Sequence, residues 1–150
     1  MISYFNSKLI NYMDNENKDK NEILKNLVDL IKNNSDALDN QEIFYNQIIE
    51  RESIGSTGIG MGIAIPHARS ESISKIVVAV ALLKNPVNFN SLDGVAVKLV
   101  VMVGAPKEQS KEYLGLLSTL ARIFRNNQYR ERILECSNTE ELLEAIAELK

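Results

Sequence analysis

The sequence predicts an α/β protein, a three-layer α/β/α sandwich around a small mixed central sheet. Three observations carry this reading. Ile76–Leu83 is a continuous apolar run rich in β-branched residues, and Val95–Val103 is a second, interrupted only by Lys98. Strands of that composition are covered on both faces. Apolar residues also recur at helical spacing before and after these runs, and helices on both sides of a sheet bury such strands most simply. No repeat, low-complexity tract or linker divides the 150 residues. The length suits one domain, 1–150, that buries roughly two-thirds of its unfolded surface.

The elements follow in order. A first short strand is expected near Leu9–Met13, and the polar run Asp14–Lys20 turns into a helix. Ile23, Leu24, Leu27, Val28, Leu30 and Ile31 give that helix its apolar stripe, and Asn33-Asn34-Ser35 ends it. Asp39 is the expected N-cap of a second helix carrying Ile43, Phe44, Ile48 and Ile49. That helix should end near Glu50–Glu52, which leaves Arg51 where a cation complements the helix dipole. Ser53–Gly62 then holds Gly55, Gly58, Gly60 and Gly62, a loop of permissive backbone. Ile63–Ile65 resumes extended character, and Pro66 stops it.

The two apolar strands come next, joined through Asn85-Pro86 to Ser91, with Asp93-Gly94 as a turn before the second. Beyond Gly104-Ala105-Pro106 the chain reads as helical. Leu114, Leu117, Leu120, Ala121 and Phe124 mark one helix, and Tyr129, Ile133 and Leu134 mark another. Ser137-Asn138-Thr139-Glu140 spells a capping box before Leu142, Leu143, Ile146 and Leu149. Cys136 falls in a C-terminal helix, where packing is its expected role. The order is strand, two helices, three strands, three helices. At least one edge strand is expected to be antiparallel, because the three middle strands follow one another without helices between them.

Composition narrows the function. A net charge of −3 argues against a general nucleic-acid binder, which needs a basic surface. A small anionic substrate remains compatible, since a local site can be positive on a mildly acidic protein. One cysteine allows no internal disulfide and no thiolate metal site. The N-terminus lacks the basic and apolar regions of a signal peptide, and no apolar run approaches a membrane span. A cytoplasmic protein without direct membrane insertion is expected.

The segment Arg51–Arg69, RESIGSTGIGMGIAIPHAR, carries the chemistry. It holds the chain's one histidine, His67, directly after Pro66 and 16 residues after Arg51. Imidazole is the side chain that changes charge near neutral pH, and a neutral ring nitrogen is a nucleophile. A cation beside it suits a reaction in which negative charge arrives. Phosphoryl transfer spreads charge over equatorial oxygens, which fixed donors can receive. At ~4 Å and an effective dielectric constant of ~20, a guanidinium attracts one phosphoryl charge by roughly 4 kcal/mol before desolvation. Arg51 and Arg69 are the candidate cations, though a surface pair with Glu71 is the expected state of Arg69. Ser56 and Thr57 place hydroxyls on the glycine-rich loop, where they either cap a turn or contact phosphate. No Walker A spelling or Rossmann fingerprint is present, so nucleotide binding is not expected.

Arg51-Glu52, Gly55-Ser56-Thr57-Gly58-Ile59-Gly60 and Gly62-Ile63-Ala64-Ile65-Pro66-His67 resemble the signature of the fructose/mannitol-type enzyme IIA family. These are components of the bacterial phosphoenolpyruvate-dependent sugar phosphotransferase system. The resemblance spans essentially the whole chain and implies a concrete role. His67 would accept a phosphoryl group on Nε2 from phosphorylated HPr and pass it to a cysteine of a IIB component during sugar uptake. Arg51 would stabilise the group in both transfers, and association with a membrane IIC would run through IIB. No metal and no organic cofactor is implied.

Two positions depart from the family. Tyr113-Leu114 stands where a second histidine, in a His-Leu pair, is common, and Met61 stands where asparagine is frequent. A phenol can donate one hydrogen bond but carries no positive charge. Tyr113 either lines the phosphate site or packs against its helix. The substitution implies slower transfer or a sensing role. The alternative expectation is accordingly a phosphorylation-responsive regulatory IIA-like protein that controls a partner without sugar transport. The lack of a fused IIB or membrane segment in the sequence points the same way.

Overall fold

A computed structural model describes residues 3–149; Met1, Ile2 and Lys150, the ends of the expected span, lie outside the described residues. After a 3₁₀ turn, Ser7–Leu9, the elements are β1 (Ile10–Met13), α1 (Lys20–Asn34), α2 (Gln41–Ile54), β2 (Gly58–Gly60), β3 (Ile63–Ala64), β4 (His67–Arg69), β5 (Val77–Val87), β6 (Val97–Ala105), α3 (Ser110–Arg125), α4 (Asn127–Leu134) and α5 (Thr139–Ala147). The sheet runs β1-β5-β6-β3-β2, with β4 also paired to β6. It is mixed: β1 lies parallel to β5, β3 and β4 lie parallel to β6, and the β5–β6 and β2–β3 pairs are antiparallel.

Side-chain alternation along the strands builds the three layers. Val78, Val80, Leu82, Leu99, Val101 and Val103 face a layer formed by α3, α4 and α5, with Leu120, Ile123, Phe124, Ile133, Leu142 and Ile146 against them. Val77, Ala79, Ala81, Leu83, Val100 and Met102 face α1 and α2, against Leu24, Leu27, Ile31, Phe44 and Ile48. The sandwich and its helix placement agree with the sequence reading.

Several local expectations are corrected. Among the described residues the sheet has six strands rather than four, since β2 and β4 were not anticipated and the expected Ile63–Ile65 strand is Ile63–Ala64. The antiparallel relation holds at the centre, β5–β6, as well as at the β2 edge. Strand β5 continues through Asn85 and Pro86, expected as a connection. The ladder breaks register between Leu82 and Val87, and at such an irregularity a proline without N–H is tolerated. The N-cap of α2 is Asn40, whose side chain accepts from Ile43 N. The Asp39 N–H is already donated to Ser72 O, beside the isolated Leu38–Ile73 bridge. In α5 the cap is Asn138, and Glu141 reaches back to Ser137 N, so the capping pair is one residue later than its spelling suggested. Cys136 is buried but lies between α4 and α5, not in a helix. The reciprocal capping box that does form, Asp19 with Glu22, starts α1.

Candidate active site

The site is assembled where the end of α2, the glycine-rich loop, β4 and the start of α3 meet. Phe44, Ile48 and Glu52 follow one another at four-residue intervals on the buried face of α2. Arg51 is therefore turned to the side, half-buried, and its Nη1 donates to Gly55 O at 2.7 Å. That bond fixes the guanidinium against the helix end.

Glu52 is the carboxylate of the apolar stripe. Its side chain is 4% exposed and sits 2.7 Å from Lys20 Nζ at the start of α1. It accepts from the Thr57 hydroxyl and, at 3.4 Å, from Thr57 N. Ser56 Oγ donates to Phe89 O and accepts from Gly58 N at 3.0 Å, while Lys20 Nζ lies 5.2 Å from the centre of the Phe89 ring. Both loop hydroxyls are thus engaged within the protein, and the bonds they make clamp the loop to α2 and the segment after β5, with Glu52 tied in turn to Lys20 of α1. Farther along, Gly60, Met61 and Gly62 have φ of 94°, 58° and 85°. Asp93 steadies this left-handed run by accepting from Met61 N at 2.7 Å, along with Val95 N at 3.0 Å.

Past Pro66 the chain pairs with β6 again: Val103 N donates to Pro66 O, and His67 is in register with Val103. His67 is partly exposed, and its Nδ1 lies 2.7 Å from Ile65 O. A carbonyl oxygen only accepts, so this bond requires the proton on Nδ1 and leaves the lone pair on Nε2. Burial lowers the pKa of the ring below its ordinary value. The Ile65 carbonyl opposes that shift, the Arg51 charge adds to it, and the Glu52 charge opposes it. The ring is thereby held as a neutral nucleophile.

Two hollows meet at His67. The first, of about 550 Å³, is lined by Arg51, His67, Ala68, Arg69, Lys107 and Tyr113. The second is more apolar and is bounded by Arg51, His67, Ile59 and Ile65 together with Leu117 of α3. Ser56 and Thr57 line this second hollow, away from Arg69 and Tyr113. Tyr113 is 6% exposed, with its ring centre 6.0 Å from that of His67 and the planes tilted by 55°. Burial pushes its phenol up to about 12 against the pull of Arg69 and Arg51, so it is a neutral donor. It both lines the hollow and packs on its helix.

Arg69 does not pair with Glu71. Glu71 takes Lys107 Nζ at 3.1 Å and Gln47 Nε2 at 3.2 Å. Arg69 instead turns toward α3, where its Nη1 donates to Lys107 O at 3.3 Å and to Ser110 Oγ, with its guanidinium carbon 6.0 Å from the Tyr113 ring centre. Arg69, named among the candidate cations, thus lines the hollow without the expected pair, while sequence reasoning missed Lys107 as a lining residue and Glu52 as a clamp. A signal for Glu52 existed: a carboxylate in step with Phe44 and Ile48 needs a buried partner. Among the described residues no group of three or more His, Cys, Asp or Glu side chains is placed to hold a metal ion. No helix there is long and apolar enough to cross a membrane.

Comparison with known proteins gives a consistent result. Residues 3–149 match the family model described as phosphoenolpyruvate-dependent sugar phosphotransferase system, EIIA 2. A nitrogen regulatory protein of Pseudomonas aeruginosa is 33% identical over 131 residues, covering 87% of this chain and 84% of that protein. A fructose-specific EIIA component of the sugar phosphotransferase system from Haloferax volcanii is 31% identical over 112 residues, covering 75% and 73%. Among solved structures, the nitrogen regulatory protein IIA-Ntr of Neisseria meningitidis superposes with a TM-score of 0.79 at 27% identity, covering 93% of each chain.

Proposed function

The chain belongs to the EIIA 2 family of the phosphoenolpyruvate-dependent sugar phosphotransferase system, and on that premise we propose that it is a cytoplasmic phosphoryl carrier, one domain over 1–150, whose acceptor atom is Nε2 of His67. The observation that carries this reading is the Nδ1 bond to Ile65 O, which commits one ring nitrogen to the backbone and leaves the other as nucleophile. The Nε2 lone pair attacks phosphorus on phosphorylated HPr. A P–N bond forms as the bond from phosphorus to the donor breaks, its electron pair staying with the donor. The proton stays on Nδ1, donated to Ile65 O, so no proton needs to move. In the second transfer a thiolate of a IIB component attacks the same phosphorus, and the P–N pair returns to Nε2.

Arg51 shares the hollow with His67 and neutralises charge on the equatorial oxygens in both steps. Tyr113 supplies a neutral hydrogen bond. Ser56 and Thr57 serve the phosphate site by holding the loop in shape.

The experiment is incubation with phosphoenolpyruvate, enzyme I and HPr, read as an acid-labile mass gain. A gain that disappears in His67→Ala supports the reading; no gain, or one that persists in the variant, overturns it.

A second reading has its own support. The Pseudomonas relative is a nitrogen regulatory protein, and the site here carries Tyr113 in place of a second imidazole. On this reading the phosphorylation state of His67 controls a partner protein without sugar transport. A chase of the phosphorylated protein with cognate IIB separates the two: label reaching the IIB cysteine favours transport, and label retained on His67 favours regulation.

A further inference from the structure

The carrier reading leaves a charge imbalance that the hollow itself resolves. A phosphoryl group brings a charge of about −1.5 to −2 at neutral pH, and Arg51 answers with one positive charge. Lys107 also lines the hollow, but its ammonium is paired with Glu71. Arg69 has no such counter-ion: among the described residues no carboxylate lies within ion-pairing distance of its guanidinium. The groups that hold it are neutral, the Lys107 carbonyl and the Ser110 hydroxyl.

The placement of Arg69 follows from the strand. Along β4 the side chains alternate, so His67 and Arg69 project from one face and Ala68 from the other. Ala68 is packed with the α1–α2 layer, which leaves its two neighbours on the α3 side, where Tyr113 stands. The contacts to Lys107 and Ser110 use Nη1 alone. A guanidinium carries five N–H donors in a planar fork, so the Nε and Nη2 donors remain for a ligand. An anchored cation with an open edge, beside a nucleophilic ring and without an anion, is a site awaiting a tetrahedral dianion.

We propose that Arg69 is a second phosphoryl ligand, which, together with Arg51, clasps the equatorial oxygens while the group rests on Nε2 of His67. This inference rests on the carrier reading and adds a residue to it. Ser110 and the Tyr113 ring are positioning groups that aim the fork. Arg69 neither forms nor breaks a bond; it supplies charge and hydrogen bonds as phosphorus moves from donor to Nε2.

The test is single-turnover phosphorylation by phosphorylated HPr in wild type, Arg69→Gln, Arg69→Lys and Arg69→Ala, with thermal stability measured on each. Arg69→Gln should be slower by roughly 10- to 100-fold, the usual effect of losing a hydrogen bond to a charged group. Arg69→Lys should recover part of the rate, and added guanidinium or ethylguanidinium should partly rescue Arg69→Ala. A residue that merely fastened β4 to α3 would give equal losses in the Lys and Gln variants, lowered melting temperatures and no rescue; that pattern overturns the proposal. Rates within about twofold of wild type in Arg69→Gln overturn it as well while leaving the carrier reading intact. Failure of the wild type to label at His67 removes both together.

Discussion

Nδ1 of His67 and the carbonyl oxygen of Ile65 are 2.7 Å apart, with only Pro66 between them in the chain. The proline ring restricts the backbone on either side of itself, so the acceptor and the ring it orients are set by one short, stiff segment. Tautomer selection is thus local, whereas the guanidinium groups that line the hollow beside the ring arrive from α2 and β4.

The lowered pKa of His67 is directly observable, because the chain contains one histidine and gives one imidazole titration. Its resonance should titrate below the ordinary value of about 6.5. The unfolded chain takes up the proton first as pH falls, so this group's contribution to stability is complete above that value. It is lost progressively between about 6.5 and the lower folded pKa. Denaturation midpoints of wild type and His67→Gln should therefore diverge from their neutral-pH difference as the solution is acidified through that window. A parallel pH course for the two proteins would contradict the assignment.

Tyr113 has the opposite alkaline signature. Its phenol, pushed up to about 12 by burial, stays neutral while an unfolded tyrosine ionises near 10. Stability from this group is present below pH ~10 and declines as pH rises toward the folded pKa. The ultraviolet difference titration of wild type against Tyr113→Phe should show the missing step at the alkaline end, not among the ordinary tyrosines.

Met61 occupies the left-handed region with φ 58°, a conformation costly for a long L side chain and readily taken by asparagine or glycine. Met61→Asn should raise the free energy of unfolding by about 0.5–1 kcal/mol in chemical denaturation. The backbone bond from residue 61 to Asp93 is preserved in that variant, so Asp93→Ala should instead destabilise the protein.

Glu52 ties Lys20 to Thr57 across the base of the loop. Glu52→Ala leaves a buried hydroxyl and an ammonium without their acceptor, at a cost of about 2–3 kcal/mol in unfolding free energy. Phosphorylation of His67 should slow as well, since the loop loses its clamp. Thr57→Val should reproduce the kinetic effect with a smaller stability loss.

Gly104 permits the close packing of β6 on α2. A Cβ at that position would meet Phe44 Cζ at 2.9 Å and Ile73 Cδ1 at 3.3 Å. Phe44 is fully buried and lies two turns before Arg51 on the same helix. Gly104→Ala should cost about 1–3 kcal/mol through overpacking, measured by urea unfolding, and Phe44→Leu in the same chain should recover part of it.

The long elements were legible, and His67 stood out as a candidate, because each writes its own pattern. Ile76–Leu83 and Val95–Val103 are apolar on both faces, and His67 is the one imidazole, set behind a proline. What escaped depends on partners far away in sequence. Strands of two or three residues, such as β2 and β4, have no period to read; pairing with β3 and β6 makes them. Because β4 was not anticipated, the shared face of His67 and Arg69 went unseen, and the adjacent Glu71 looked like the natural partner of Arg69. Competition moved the caps in the same way. Asp39 and Asn40 are both good caps; the Asp39 N–H pairs with Ser72 O, and it is Asn40 Oδ1 that takes the Ile43 N–H.

Strand β6 carries both halves of the interrupted strand, β3 and β4, the second of which begins at His67. Gly62 O accepts from Lys98 N and Leu99 N near one end, and Pro66 O accepts from Val103 N toward the other. The amide of Val103 thus lies in the centre of the sheet, where hydrogen exchange requires opening of the whole cooperative unit. The perch of the imidazole is consequently expected to melt with the sheet and not on its own. Heat inactivation and loss of the folded sheet should coincide, and a protein that still gives a native circular dichroism spectrum should still have its nucleophile in place.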